Sequence, residues 1–113
     1  MEGVLLDTRP RAAVYSWYRN KRERRAVELL RAFCAVSGLL PTFYLDRKAP
    51  RRGQPPPLWQ CLCRDVEAGK YAVVITWLDV PGMGEWCEAV GVRYEQVDPF
   101  EFSVAIRANS MLR

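Results

Sequence analysis

The apolar and polar positions of this chain fall into short blocks that switch between two periods. Residues 11–18 (RAAVYSWY) are largely apolar, with β-branched and aromatic side chains, and predict a strand. Asn20 follows as a helix N-cap, with Glu23 three residues on, as in a capping box. Ala26, Val27, Leu30, Phe33, Cys34 and Ser37 then recur at spacings of three and four. That stripe predicts a helix to about residue 37, with Gly38 as its stop. Residues 39–45 (LLPTFYL) read as a second strand. Pro41 assigns it to a sheet edge, because proline cannot donate to the ladder. A loop without apolar period spans 46–57, and a second helix is expected over 58–68, closed by Gly69. Residues 70–78 predict a third strand, whose unbroken YAVVITW run suits a position buried on both faces of a parallel sheet. A short helix over 82–90 and a fourth strand over 92–97 follow, the latter stopped by Asp98-Pro99. In the tail, Phe100, Phe102, Val104 and Ile106 alternate with Glu101, Ser103, Ala105 and Arg107. Period two favours a strand there, with a terminal helix as the alternative.

Strands alternating with helices predict an α/β fold of three layers: a mainly parallel sheet with helices on both faces. Right-handed crossovers then favour the strand order 2-1-3-4, which makes the second strand an edge, in agreement with Pro41. The 113 residues suit one domain, with a core over about 11–98 and a tail over 99–113.

Composition narrows the function classes. Half of the residues are hydrophobic, yet no apolar run approaches the ~18 residues of a membrane span. The first residues lack a charged region followed by a long apolar block, so a cytoplasmic site is the expectation. The chain contains no histidine, which removes the commonest general base and the commonest metal ligand. Cys34, Cys61, Cys63 and Cys87 sit among apolar neighbours and read as reduced thiols. Cys61 and Cys63, two apart on a helix, do not share a face, so no zinc site is expected. Asp46 and Asp79 both fall at strand ends, where an acidic pair can hold Mg²⁺. The lysine and hydroxyl that complete such sites are not evident, and no cofactor or metal is expected.

The series Ala13-Val14-Tyr15-Ser16, residues 67–79 (EAGKYAVVITWLD) and residues 91–97 (GVRYEQV) resembles the catalytic domain of serine recombinases, the resolvase/invertase family. The likeness runs over roughly residues 12–98 and implies a resolvase-like, flavodoxin-like sheet. Tyr15 matches the family's opening strand. Tyr44-Leu45-Asp46 matches its second strand, residues 59–66 (WQCLCRDV) its following helix, and Ala68-Gly69-Lys70-Tyr71 the turn after it. The reactive positions differ. Where the resemblance places the first catalytic arginine stands Trp17, and where it places the serine nucleophile stands Arg19. The next arginine falls on Pro56, and the segment with two more reads Leu78-Asp79-Val80-Pro81-Gly82-Met83. The family's long dimerisation helix and DNA-binding segment have no counterpart in these residues.

The family's reaction needs a hydroxyl nucleophile and cations around a phosphodiester that gains charge. Arg19 cannot act as an oxygen nucleophile, and Trp17, Pro56, Val80 and Met83 cannot stabilise an anion. No catalytic residue is therefore assigned. Ser16 is the weak substitute, and alternation along a strand turns it away from positions 17 and 19. Parallel strands end at one edge, where α/β folds bind ligands. Arg19, Lys21, Arg22, Arg24, Arg25, Arg47, Lys48, Arg51 and Arg52 all fall at that edge, nine of the 17 cations in a chain of net charge +4. They form a candidate nucleic-acid surface. The reading is a non-catalytic recombinase-like domain that binds DNA, or a protein partner or second copy through its apolar tail, with no membrane role. The alternatives are an active recombinase or nuclease using Ser16 or Ser103, and a purely structural module.

Overall fold

The computed structural model describes residues 8–48, 57–78 and 80–111, with side chains as far as residue 108. Strand β1 (Arg11–Trp17) leads into helix α1 (Lys21–Val36), and β2 (Leu40–Asp46) into α2 (Pro57–Glu67). Then come β3 (Val73–Thr76), α3 (Met83–Val90), β4 (Arg93–Gln96) and α4 (Pro99–Met111). The four strands form one sheet in the order β2-β1-β3-β4, and every neighbouring pair is parallel. The α/β class and the strand order are as the sequence predicts. Pro41 lies on the edge strand β2, opposite Ala12.

The alternation of β1 divides the core. Ala12 and Val14 face α1, where they join Leu30, Cys34, Val73 and Ile75. Ala13, Tyr15 and Trp17 face α2 and α3, where they join Leu62, Val66, Val74, Met83 and Cys87. Both faces of β1 and β3 are thus covered, which explains why their residues read as continuous apolar runs. Burial of these side chains drives the fold, at roughly 1.5–3 kcal/mol for each large one.

Two elements differ from expectation. Strand β3 covers Val73–Thr76 of the expected 70–78; ahead of it Tyr71 meets Tyr44 edge-on, ring centroids 6.0 Å apart. The tail is a helix, not a strand. Asp98 Oδ1 accepts the backbone N–H groups of Phe100 (3.0 Å) and Glu101 (3.2 Å). Pro99 occupies the first helical position, where its missing N–H costs nothing. The Asp98-Pro99 pair that reads as a strand stop is therefore a helix start. Helix α4 packs on α1 through Phe102 against Phe33, centroids 5.5 Å apart. Its first turn covers the end of β3 through Phe100 against Trp77, at 5.8 Å. Among the described residues, no helix is long and apolar enough to cross a membrane.

Candidate functional site

Strand β1 carries the chain to the C-terminal edge of the sheet, where Trp17, Tyr18 and Arg19 precede α1. Trp17 is buried in the core beneath α2 and α3. Its indole Nε1–H has no hydrogen-bond partner, although it lies near enough to Glu23 to help keep that carboxyl ionised. Ser16 points to the other face and is 1% exposed. Its hydroxyl accepts from Trp77 Nε1 at 2.8 Å and donates to the Trp17 carbonyl at 3.1 Å. Both roles of the hydroxyl are taken, and solvent does not reach it.

Arg19 is held by Glu23. The buried carboxylate accepts the Arg19 backbone N–H, Nε (3.2 Å) and Nη2 (2.8 Å). Asn20 caps α1 by accepting the Glu23 N–H at 2.9 Å. Half of the expected capping box is thus present, while the Glu23 side chain turns to Arg19 in place of the Asn20 N–H. The Arg19 hydrogen bond holds the Glu23 carboxyl below the usual carboxylate range, against the opposing effect of burial. A depressed folded value means that the pair stabilises fully above the unfolded pKa and loses its contribution as pH falls through the folded one. Asp65 is held low in the same sense, first by the Tyr44 hydroxyl and then by Lys70. Denaturant midpoints measured from pH 7 to pH 3 should therefore fall below about pH 5. Glu23→Gln should flatten that fall without abolishing it.

Asp46 closes β2 and joins three elements. It accepts the Tyr15 hydroxyl at 2.9 Å and the N–H groups of Leu58 and Trp59, each at 3.2 Å. The last two are orphan donors of the first turn of α2, so the carboxylate serves as a cap supplied from a distant strand. Burial, then the hydrogen bond to this carboxylate, push the Tyr15 hydroxyl pKa upward.

Around these buried groups lies an exposed basic rim. Tyr18, Arg19, Arg24 and Arg47 line an open cleft of about 460 Å³. A second hollow of about 210 Å³ shares Tyr18 and Arg24 and adds Val27, Glu28 and Leu45. Lys21 and Arg25 are exposed on the first turns of α1, and Lys48 is exposed after β2. Arg22 turns the other way, its guanidinium 4.7 Å from the centroid of Phe100. The structure therefore brings Arg19, Arg24 and Arg47 together and sends Arg22 toward α4. Arg51, Arg52, Pro56 and Asp79 lie outside the described residues. The ion pairs among the described residues are Arg19–Glu23, Arg31–Glu28, Lys70–Asp65 and Arg93–Glu95. None of them uses Lys21, Arg22, Arg24, Arg25, Arg47 or Lys48.

The sheet separates the cysteines. Cys34 packs on the α1 side, whereas Cys87 lies on the other face with Cys61 and Cys63 packed against its cluster. Burial pushes the thiols of Cys34, Cys63 and Cys87 up to about 11.

No protein-family model matches the chain, and no curated protein does. A solved structure does match: the C-terminal catalytic domain of ISC1926 TnpA, an IS607-like serine recombinase. The TM-score is 0.63 and the identity 19%, over 77% of this chain and 67% of that one. The fold is that of a serine recombinase catalytic domain. At the C-terminal edge of this chain's sheet stand a buried tryptophan at position 17 and a glutamate-bound arginine at position 19.

Two features of this edge escape a reading of residue types. Glu23 reads in the sequence as the partner in a capping box, whereas its side chain neutralises Arg19. The four-residue spacing from Arg19 to Glu23 is the signal that points to it. Tyr18, a strand-end aromatic whose type suits either the core or stacking on bases, is half-buried and lines both hollows.

Proposed function

We propose that this domain binds nucleic acid through the C-terminal edge of its sheet and does not cleave it. The observation that carries this reading is the pairing of an inert interior with an exposed basic rim. Position 19 offers a guanidinium engaged by Glu23, and Ser16 is enclosed with its hydroxyl occupied on both sides. Neither position 19 nor Ser16 thus presents a free serine hydroxyl at this edge. Meanwhile Lys21, Arg24, Arg25, Arg47 and Lys48 are exposed, with no carboxylate paired to them among the described residues. Cations so placed attract phosphates by releasing condensed counterions. The solved recombinase domain of this fold gives the reading its context, and the residues above give it its direction.

Fluorescence anisotropy with labelled DNA across a salt series tests it. Binding is expected at low salt. The logarithm of the association constant should fall linearly with log salt, by about 0.7 for each phosphate neutralised on a single strand. With five or six cations in play, the slope should be no steeper than about −4. Absence of binding at low salt would remove the nucleic-acid reading.

A protein partner or second copy on α4 is the second reading. It is favoured by Val104 and Ile106, which are 66% and 39% exposed. Sedimentation velocity of the free chain reads the homodimer version directly, and a monomer at every concentration would dismiss it.

A further inference from the structure

We infer that the edge takes an unpaired nucleotide, its base against Tyr18 and its phosphate against Arg24 and Arg47, so that single-stranded DNA is preferred to duplex. This inference rests on the reading of the basic edge as a nucleic-acid surface and adds its substrate class.

The two hollows differ in chemistry. The larger is lined by Tyr18 and three arginines, Arg19, Arg24 and Arg47. Because Glu23 already satisfies Arg19, the charge available to a phosphate there comes from Arg24 and Arg47. The smaller hollow lies between α1 and the edge strand β2. Its lining is apolar apart from its rim: Tyr18, Val27 and Leu45, with Arg24 on one side and Glu28 on the other. Glu28 leans toward Arg31, at 3.8 Å, and both are exposed. A carboxylate at that rim disfavours a phosphate in the smaller hollow and offers an acceptor to the N–H groups of a base. The polarity is thus set: base toward Val27, Leu45 and Glu28, phosphate toward Arg24 and Arg47.

Tyr18 joins the two halves. Its ring is half-buried. The Arg24 guanidinium stands 5.8 Å from its centroid, near the outer limit of a cation–π contact. A base arriving on the ring displaces that guanidinium toward the incoming phosphate. Stacking on an aromatic side chain is available to any base, but only where the base face is free. In a duplex each face is covered by its neighbours, so a ring set between a helix and a strand edge meets unpaired bases alone.

The test compares one fluorescein-labelled oligonucleotide, single-stranded and annealed to its complement, by anisotropy at low salt. The single strand should bind ~10-fold more tightly, in keeping with the stacking of one base on an aromatic ring. Tyr18→Ala should weaken single-strand binding more than duplex binding and so remove that preference, while Tyr18→Phe should retain it. Arg47→Glu should weaken both. A second readout uses the unmodified protein: ultraviolet cross-linking to a single strand carrying 5-iodouracil, with the adduct mapped by mass spectrometry. The expected adduct is on Tyr18, and adducts confined to other residues would overturn the inference. Equal binding of the two forms, or equal loss of both in Tyr18→Ala, would also overturn it while leaving the basic edge intact. If neither form binds at low salt, the basic-edge reading itself fails, and this inference with it.

Discussion

Replacing Arg24 and Arg47 together by glutamate will weaken DNA binding about 10²-fold at low salt and leave the thermal unfolding midpoint nearly unchanged. Both guanidinium groups are exposed and line the same cleft. Neither takes part in an ion pair among the described residues. A hydrogen bond to a charged group contributes about 1.5 kcal/mol at the lower end of its range. Two of them amount to about 3 kcal/mol, a factor of ~10² in Kd. The salt dependence should become shallower by roughly 1.4, the share of two phosphates on a single strand. Arg19→Gln makes a useful contrast. Its guanidinium is already engaged by Glu23, so its loss should reduce binding far less than that of Arg47 and should lower stability instead. Were Arg19→Gln to match the double variant in binding while Arg24 and Arg47 proved dispensable, the cleft would be assigned to the wrong cations.

The largest effect on stability is expected from Asp46→Ala. The Asp46 carboxylate is the partner of a fully buried tyrosine hydroxyl and of two N–H groups that open α2. Deleting it orphans the Tyr15 hydroxyl, at a cost of about 1–3 kcal/mol for a buried unsatisfied group. It also removes the cap of α2, at about 0.5–2 kcal/mol. A total of about 1.5–5 kcal/mol is a large share of the roughly 5–15 kcal/mol that a domain commands. The thermal midpoint should drop by roughly 10 °C or more. Tyr15→Phe removes only the hydroxyl and leaves both N–H groups capped, so it should cost about 1 kcal/mol. In Tyr15→Phe the further change Asp46→Ala should cost less than it does alone, because one orphan is already gone. Strict additivity of the two would show that the hydroxyl and the carboxylate do not depend on each other.

Much of this architecture is legible in the residues, and the reasons are local. Pro41 marks an edge because its missing N–H leaves a gap in any ladder, and β2 is that edge. Gly38 and Gly69 end helices at φ of 71° and 78°, where a side chain would be strained. The tail misleads for a physical reason. Phe100, Phe102, Val104 and Ile106 alternate like a strand, but only Phe100 and Phe102 find rings to pack against, Trp77 and Phe33. Val104 and Ile106 stay exposed, so the period of two reflects composition and not burial. The cap at Asp98-Pro99 was the better signal. At the site, the cationic residue types are visible in the sequence, but their directions are not. Arg22 and Arg24 are two apart on one helix, and one meets Phe100 of α4 while the other meets Tyr18. That divergence follows from the helical period and from the placement of α4, which the alternating tail concealed.

The most direct measurement is to incubate the protein with supercoiled plasmid at low ionic strength and resolve the mixture on agarose, before and after SDS. Retarded plasmid is expected before detergent, and unchanged supercoiled plasmid free of attached protein after it. A nicked or linear product with protein covalently bound to its ends would contradict a non-cleaving domain, because position 19 is a Glu23-bound arginine and Ser16 is enclosed.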